Sequence, residues 1–499
     1  MGSSAIADRR AIKITYHSPS TVIITSLRRL RLHEIPLLQK KEFPKISLSQ
    51  EKNPAALFRS GNRLGGDIPS YSAEKRFLSV RGIFPGKIPG KAFLQETPVR
   101  GILNYIIREG GFPLEQRHRP ECRYAEKCGG CQLQNLTYPE QLAFKQRKME
   151  ALLGKFCPVA PIIGMKNPWH YRNKVQAAFG FSQERGVVSG IYQSSSHRIV
   201  PVSHCLIEDE AAGAIIRTIR ELMPEFKITA YDEHTGTGFL RHVLVKRGFA
   251  TGEVMVVLVV TEPIFKLQKP FLKKLLELRP EITTVVLNFN DRFGPVVLGD
   301  QERALYGKGY IEDVLCGLTF RISAKSFYQV NPVQAEILYG VAVNFAALTG
   351  KERVLDAYCG IGAIGMAASR HAGEVLGVEL GKDAVRDAIA NARRNGIQNC
   401  WFTQGDAGEY LAGMAKERIP LDVAFLDPPR DGSDRKFLSS LLAVRPKRIV
   451  YLSCGPESLA RDLQILTEGG YLVKKIQPVD MFPHTEHVEC VVLLSKVQN

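Results

Sequence analysis

The sequence predicts an α/β protein: a doubly wound C-terminal domain, a central α+β domain and a small N-terminal β-barrel. Three observations carry that expectation. From about residue 311 onward, apolar strand-like runs alternate with helical stretches. Three of those runs end abruptly in polar or Gly-Pro turns, as strands of an open sheet do. Upstream, strands and helices mix without regular alternation, and further upstream short β-like runs are broken by Gly and Pro.

Taken in order, residues 1–56 form a basic arm with Arg28, Arg29, Arg31, Lys40 and Lys41. The arm is rich in Arg and Ser and poor in acids, which fits a disordered arm, an organellar transit peptide or a tag scar equally. Position 6 is Ile6, so the start lacks the Ser or Thr that myristoylation favours. Residues 57–118 hold runs such as Phe77-Leu78-Ser79-Val80 and Pro85-Gly86-Lys87-Ile88-Pro89-Gly90, the expected barrel. Residues 119–310 form the central domain. There, Gly238–Lys246 and Gly252–Val260 read as paired strands around the turn between Gly248 and Gly252. Residues 311–499 complete the chain.

Composition narrows the class. Hydrophobic content of 44% and charged content of 23% are ordinary for a soluble globular protein. There is no apolar run of bilayer length. The ten cysteines are unevenly spaced, which points to thiol chemistry or metal ligation and away from a disulfide scaffold. A cytoplasmic monomer is expected. Net charge is +17, and residues 1–120 hold 21 Lys and Arg against 9 Asp and Glu. A basic end on a near-neutral remainder points to a polyanionic partner, most simply nucleic acid, although a solvated basic face has the same composition.

Four motifs carry chemistry. Cys122-x5-Cys128-x2-Cys131 brings three thiols within ten residues, with Gly129 and Gly130 letting the backbone wrap. That donor set suits a soft metal or an iron–sulfur cluster and does not match a common zinc finger. Cys157 and Cys205 are the candidates for a fourth thiolate. Asp356-Ala357-Tyr358-Cys359-Gly360-Ile361-Gly362-Ala363-Ile364-Gly365 is a Gly-rich turn after the strand Arg353-Val354-Leu355. Glu379 ends the next strand-like run, where an acidic side chain grips a ribose; NAD and S-adenosylmethionine both satisfy this pattern. Asp406 ends a third run. Asp427-Pro428-Pro429-Arg430 follows a fourth, and its prolines stiffen a turn whose carbonyls face outward. Ser453-Cys454-Gly455-Pro456 ends the strand Arg448–Leu452. A thiol at that edge is placed as a nucleophile, against the plainer reading of a small buried hydrophobe.

At this point the chain resembles the RNA uracil-C5 methyltransferases, both the iron–sulfur-bearing 23S ribosomal RNA enzymes and their transfer-RNA relatives. The resemblance spans residues 57–499. It rests on the motifs above together with Phe327-Tyr328-Gln329-Val330-Asn331, Cys128-Gly129-Gly130-Cys131-Gln132, Ile199-Val200-Pro201-Val202-Ser203-His204-Cys205, and Asp480-Met481-Phe482-Pro483-His484-Thr485-Glu486-His487-Val488-Glu489. It implies a Rossmann-like domain that binds S-adenosylmethionine through Gln329, Tyr358, Glu379 and Asp427. It implies Cys454 as nucleophile and Glu489 as base. It implies a [4Fe-4S] cluster on Cys122, Cys128, Cys131 and Cys205, an N-terminal RNA-binding barrel, and RNA as partner, with ribosomal RNA preferred over transfer RNA.

The chemistry is coherent in itself. A thiolate adding to C6 of uracil gives C5 the electron density for methyl transfer, and a carboxylate then removes the C5 proton. Arg430 is a candidate for holding a phosphate or favouring the thiolate. Two alternatives stand beside this reading. RNA cytosine-C5 enzymes carry a cysteine where this chain has Pro429. A non-catalytic RNA-binding protein has no need of Cys454, Glu489 and Gln329 together.

Overall fold

A computed structural model describes residues 121–497 except 194, 195 and 197, together with four strands nearer the N-terminus. The chain divides into two compact units, Met1–Gln116 and Arg117–Asn499. In the first, β1 (Lys13–Ser18), β2 (Thr21–Thr25), β3 (Ser47–Glu51) and β4 (Phe77–Arg81) form an antiparallel sheet in the order β1-β2-β4-β3. The run at Phe77 is thus a strand. The remainder of the expected barrel, and of the basic arm, lies outside the described residues.

The second unit holds two seven-stranded sheets. One has the order β11-β10-β9-β8-β5-β6-β7. It comprises β5 (Lys174–Ser182), β6 (Gly186–Tyr192), β7 (Ile199–Pro201), β8 (Leu240–Arg247), β9 (Val254–Val260), β10 (Ile282–Phe289) and β11 (Gln301–Tyr306). The expected β8–β9 hairpin is present, closed by Gly252 N–H donating to the Gly248 carbonyl at 2.8 Å. All seven residues of β9 are buried. This central sheet is antiparallel except where β9 and β10 run parallel. A short hairpin, β12 (Ile311–Leu315) and β13 (Leu318–Ile322), leads onward.

The other sheet has the order β16-β15-β14-β17-β18-β20-β19. Its strands are β14 (Arg353–Ala357), β15 (Glu374–Glu379), β16 (Cys400–Gln404), β17 (Val423–Leu426), β18 (Arg448–Ser453), β19 (Tyr471–Val479) and β20 (Glu489–Lys496). β14 to β18 run parallel. β20 runs antiparallel to both β18 and β19. Helices such as Ala363–Ser369, Lys382–Arg394 and Arg435–Val444 connect the parallel strands, so the expected doubly wound architecture is present.

The core is continuous across the two sheets. One apolar cluster runs from Leu244, Met255 and Val257 of the central sheet to Val354, Phe425 and Val450 of the C-terminal one. The opposite face of the C-terminal sheet buries Leu355, Leu426 and Tyr451 together with Met149 and Leu153 of the helix Tyr138–Leu153. That helix starts at a capping box, with Thr137 and Glu140 satisfying each other's orphan groups and Pro139 in the first turn. Among the described residues, no helix is long and apolar enough to cross a membrane.

Candidate active site

The parallel register delivers the ends of β14, β15, β17 and β18 to one sheet edge, the place where open α/β sheets bind ligands. Asp356 and Tyr358 flank the end of β14, Glu379 ends β15, Asp427 follows β17 and Cys454 follows β18. Glu489 reaches the same edge from the opposite direction. It is the first residue of β20, and Ser453 pairs with Cys490, so Glu489 lies beside Cys454.

The Gly-rich turn shows why these residues take this shape. Gly362 has φ of 82°, and a Cβ there would lie 2.7 Å from the Phe402 ring. Tyr358 has φ of 62°, rare for a non-glycine residue and a mark of local constraint. Its ring packs on Phe437 at 5.1 Å between centroids. Asp356 is buried, and its Oδ2 accepts from Gly365 N–H at 2.8 Å. Its Oδ1 is buried with no hydrogen-bond partner among the described residues. Glu379 accepts from Gly360 N–H at 3.1 Å and from Gly381 N–H at 2.8 Å, which fixes its carboxylate across the mouth of the turn. A narrow glycine turn, an aromatic wall, a fixed acid and an unpartnered buried oxygen fit a nucleoside-bearing cofactor.

The acids behave as one group. Burial pushes the Asp356 carboxyl up to about 7, with Asp427 and Glu379 raising it further and the Gly365 N–H opposing. Burial likewise lifts Asp427 to about 7. Glu489, 6% exposed, is pushed up to about 8 by burial and then by Asp427. Gln329 is buried, its main-chain carbonyl accepting from Asn173 Nδ2 at 3.1 Å and its side chain lying beside Tyr339. Tyr339 in turn feels Asp427, Glu489 and Asp356. Gln329 therefore joins the acids although its segment lies far from theirs in the chain.

Cys454 is half-buried. Burial raises its thiol, Glu489 and Asp427 raise it further, and Arg430 opposes them. It sits just before Gly455, the N-cap of the helix Pro456–Glu468, where the helix end favours an anion. Gly455 is required there: a Cβ would stand 2.3 Å from the Arg430 carbonyl. Ser458 Oγ donates to that same carbonyl at 2.7 Å, tying the two turns together. Cys454 opens into a cleft of about 750 Å³ lined also by Lys148, Arg430, Arg461, Glu486 and His487. Arg430 bonds His487 at 2.7 Å.

The remaining candidates lie in a second cluster. Burial raises the Cys131 thiol to about 11; Gln134 opposes this, and Cys128 and Cys122 add to it. Cys205 is also raised, by burial, Glu208 and Cys131. The four thiols of Cys122, Cys128, Cys131 and Cys205 thus share one neighbourhood, whereas Cys157 Sγ donates to the Lys474 carbonyl at 3.4 Å. Soft donors in this number suit a soft metal or cluster. Among the described residues, no three Cys, His, Asp or Glu side chains stand close enough to hold a metal ion. Sequence reasoning missed Tyr339, which gave no signal within an apolar helix, and assigned no role to Asp356, which was legible as the acid opening the Gly-rich turn.

Comparison with known proteins agrees with this geometry. The family model for tRNA (Uracil-5-)-methyltransferase matches residues 137–497. Curated relatives include an uncharacterised RNA methyltransferase of Listeria monocytogenes serotype 4b, 44% identical over 76% of this chain and 84% of its own. Another, from Bacillus cereus, is 42% identical over 77% of this chain and 84% of its own. Among solved structures, the Pyrococcus abyssi tRNA (uracil-54, C5)-methyltransferase in complex with S-adenosyl-L-homocysteine matches with a TM-score of 0.62 and 28% identity, over 73% of this chain and 85% of that one. The chain belongs to the tRNA (uracil-5-)-methyltransferase family and is an S-adenosylmethionine-dependent RNA methyltransferase.

Proposed function

We propose that this enzyme methylates C5 of uracil in 23S ribosomal RNA through a covalent adduct on Cys454. The observation that carries the chemistry is the meeting of Cys454, Glu489 and Asp427 at one sheet edge beside a cleft. Attack of the Cys454 thiolate on C6 pushes the ring electron pair into an enolate and makes C5 nucleophilic. Arg430 and the helix end before Pro456 favour the thiolate. S-adenosylmethionine, when bound, supplies the electrophilic methyl group. Gln329, Tyr358, Glu379 and Asp427 are the residues that would hold it.

After transfer, C5 carries both the methyl group and its proton. Ionised Glu489 takes the proton, the electron pair reforms the 5,6 double bond, and the Cys454 sulfur leaves. A carboxyl held near 8 yields a strong base once ionised. The base must enter unpaired, from a loop or by extrusion from a stem.

Cys122, Cys128, Cys131 and Cys205 are proposed to hold a [4Fe-4S] cluster, supported by their shared neighbourhood and soft donor chemistry. The basic surplus in residues 1–120 supports a large RNA held by phosphate contacts. Transfer RNA is the second reading, favoured by the substrate of the Pyrococcus neighbour. Purified enzyme given methyl-labelled cofactor with naked 23S RNA or with transfer RNA decides between them. 5-Methyluridine is expected in the 23S RNA, and its formation in transfer RNA alone would reverse the choice. Anaerobic protein should carry about four irons. Stoichiometric zinc without iron would refute the cluster.

A further inference from the structure

The loop between β19 and β20, Asp480 to Val488, ends at Glu489 and supplies Glu486, His487 and Val488 to the cleft beside Cys454. It has no regular structure, so its backbone groups need partners from elsewhere. Asp480 N–H donates to the Ile163 carbonyl at 2.9 Å, Asn331 Nδ2 to the Met481 carbonyl at 3.0 Å and the Tyr171 hydroxyl to the Pro483 carbonyl at 3.1 Å, and several further partners come from the cysteine-bearing segment and the helix that follows it. Leu133 N–H donates to the His484 carbonyl at 3.0 Å. His484 N–H donates to Gln141 Oε1 at 2.9 Å, and Gln141 Nε2 bonds the His484 ring at 3.1 Å. Lys145 Nζ donates to Asp480 Oδ1 at 2.5 Å and to the Phe482 carbonyl at 3.0 Å, fully buried. Trp169 stacks on the His484 ring at 3.8 Å. His484 itself has φ of 68°, a strained conformation held by these contacts.

The link that matters most is Gln132, the residue after Cys131. Its Oε1 accepts from Glu486 N–H at 3.3 Å while its Nε2 donates to the Gly129 carbonyl at 2.8 Å. One side chain thus ties the turn between Cys128 and Cys131 to the cleft wall three residues before Glu489. We infer that the thiol-bearing segment Cys122–Leu133 is a positioning element for the catalytic loop: its folded state sets where Glu486 to Glu489 stand relative to Cys454. Disturbing the thiols then reaches the active site through Gln132 and Leu133, without passing through the cofactor cradle. The inference rests on Glu489 being the base only for its effect on turnover, not for the coupling itself.

The test uses the full chain and two variants, Cys131→Ser and Gln132→Ala, the second leaving every thiol in place. Hydrogen–deuterium exchange is read over residues 482–487 and over β14 to β18, alongside kcat and the KM for S-adenosylmethionine. Both variants should speed exchange in 482–487 by about five- to tenfold, the worth of one lost hydrogen bond, with the sheet unchanged. For Gln132→Ala, kcat should fall by about tenfold or more with KM for the cofactor unchanged, since a displaced loop misplaces the reacting groups. A merely structural role would move exchange across the sheet and KM together. Unchanged exchange in 482–487 with Gln132→Ala overturns the inference, whatever Cys131→Ser does. Failure of the base assignment is distinguishable: it is read by adduct trapping in Glu489→Gln, which leaves Gln132 intact.

Discussion

The two seven-stranded sheets bury similar side chains and differ in strand direction, and the difference decides where chemistry sits. β9 of the central sheet is as dry as β17 of the C-terminal sheet. In the central sheet, antiparallel neighbours send successive strand ends to opposite edges. Its buried Lys246 serves structure, donating to the Ser323, Ala324 and Ser326 carbonyls at 2.8, 2.8 and 2.9 Å. In the C-terminal sheet, five parallel strands deliver their carboxyl ends to one edge. Asp356, Glu379, Asp427 and Cys454 therefore converge without any of them being near another in sequence. The single reversed strand β20 then adds Glu489 by starting where its neighbours end. The central sheet contributes by support: Lys246 pins the segment that leads to Gln329.

This contrast can be broken most sharply at Cys454. Cys454→Ala should reduce methyl transfer by about 10⁴-fold or more, as loss of a covalent nucleophile does. Cofactor affinity, measured by calorimetry, should stay nearly intact, because the thiol is not part of the cradle. Substantial turnover would show that the edge does not work through this sulfur.

A subtler break is Gly455→Ala, in which a Cβ would meet the Arg430 carbonyl at 2.3 Å. The two turns must separate, and a displacement near 1 Å costs about 10²-fold in rate. The variant's kcat should fall with its melting temperature little changed. An unaffected kcat would mean that the spacing of these turns is not critical.

The pH profile sharpens the comparison without mutation. Glu489 is held up to about 8 and must be ionised to act as base, so kcat/KM should rise with pH through 8. Below that, Glu489 alone gives a slope of about tenfold per unit. The Cys454 thiol, raised above its ordinary value, acts in the same direction and carries the rise beyond 8. A profile flat from pH 6 to 8 would remove Glu489 from the proton transfer.

The smallest catalytic effect is expected in the central sheet. Lys246→Met leaves three buried carbonyls without their donor, at a cost in stability of about 1–3 kcal/mol for each. Turnover by the folded fraction should change little, which urea unfolding and kcat together would check.

Much of this edge was legible because each piece is local. A strand, its terminating turn and the functional residue all fall within about ten residues, so Cys454, Asp427, Glu379 and the Gly-rich turn could be read directly. Cys205 joining the three clustered thiols came from resemblance to a family, not from spacing. The scaffold around the catalytic loop was not legible. Lys145 and Asp480 meet across 335 residues, and Gln141 and His484 across 343. No periodicity or spacing records such a contact, because it depends on the helix Tyr138–Leu153 crossing from the central segment onto the C-terminal sheet. Tyr339 was hidden for the same reason: its helix reads as apolar core, and only the fold reveals three acids around its hydroxyl.

The central claim is that Cys454 and Glu489 act in sequence on one uracil. Glu489→Gln, incubated with S-adenosylmethionine and substrate RNA, tests it most directly by intact mass after denaturation. The variant completes the attack on C6 and the methyl transfer but has no base for the C5 proton, so the sulfur cannot leave. The account predicts a stable protein–RNA species carrying one added methyl group, with the linkage mapped to Cys454. Normal turnover with no adduct, or an adduct mapped to another cysteine, would contradict it.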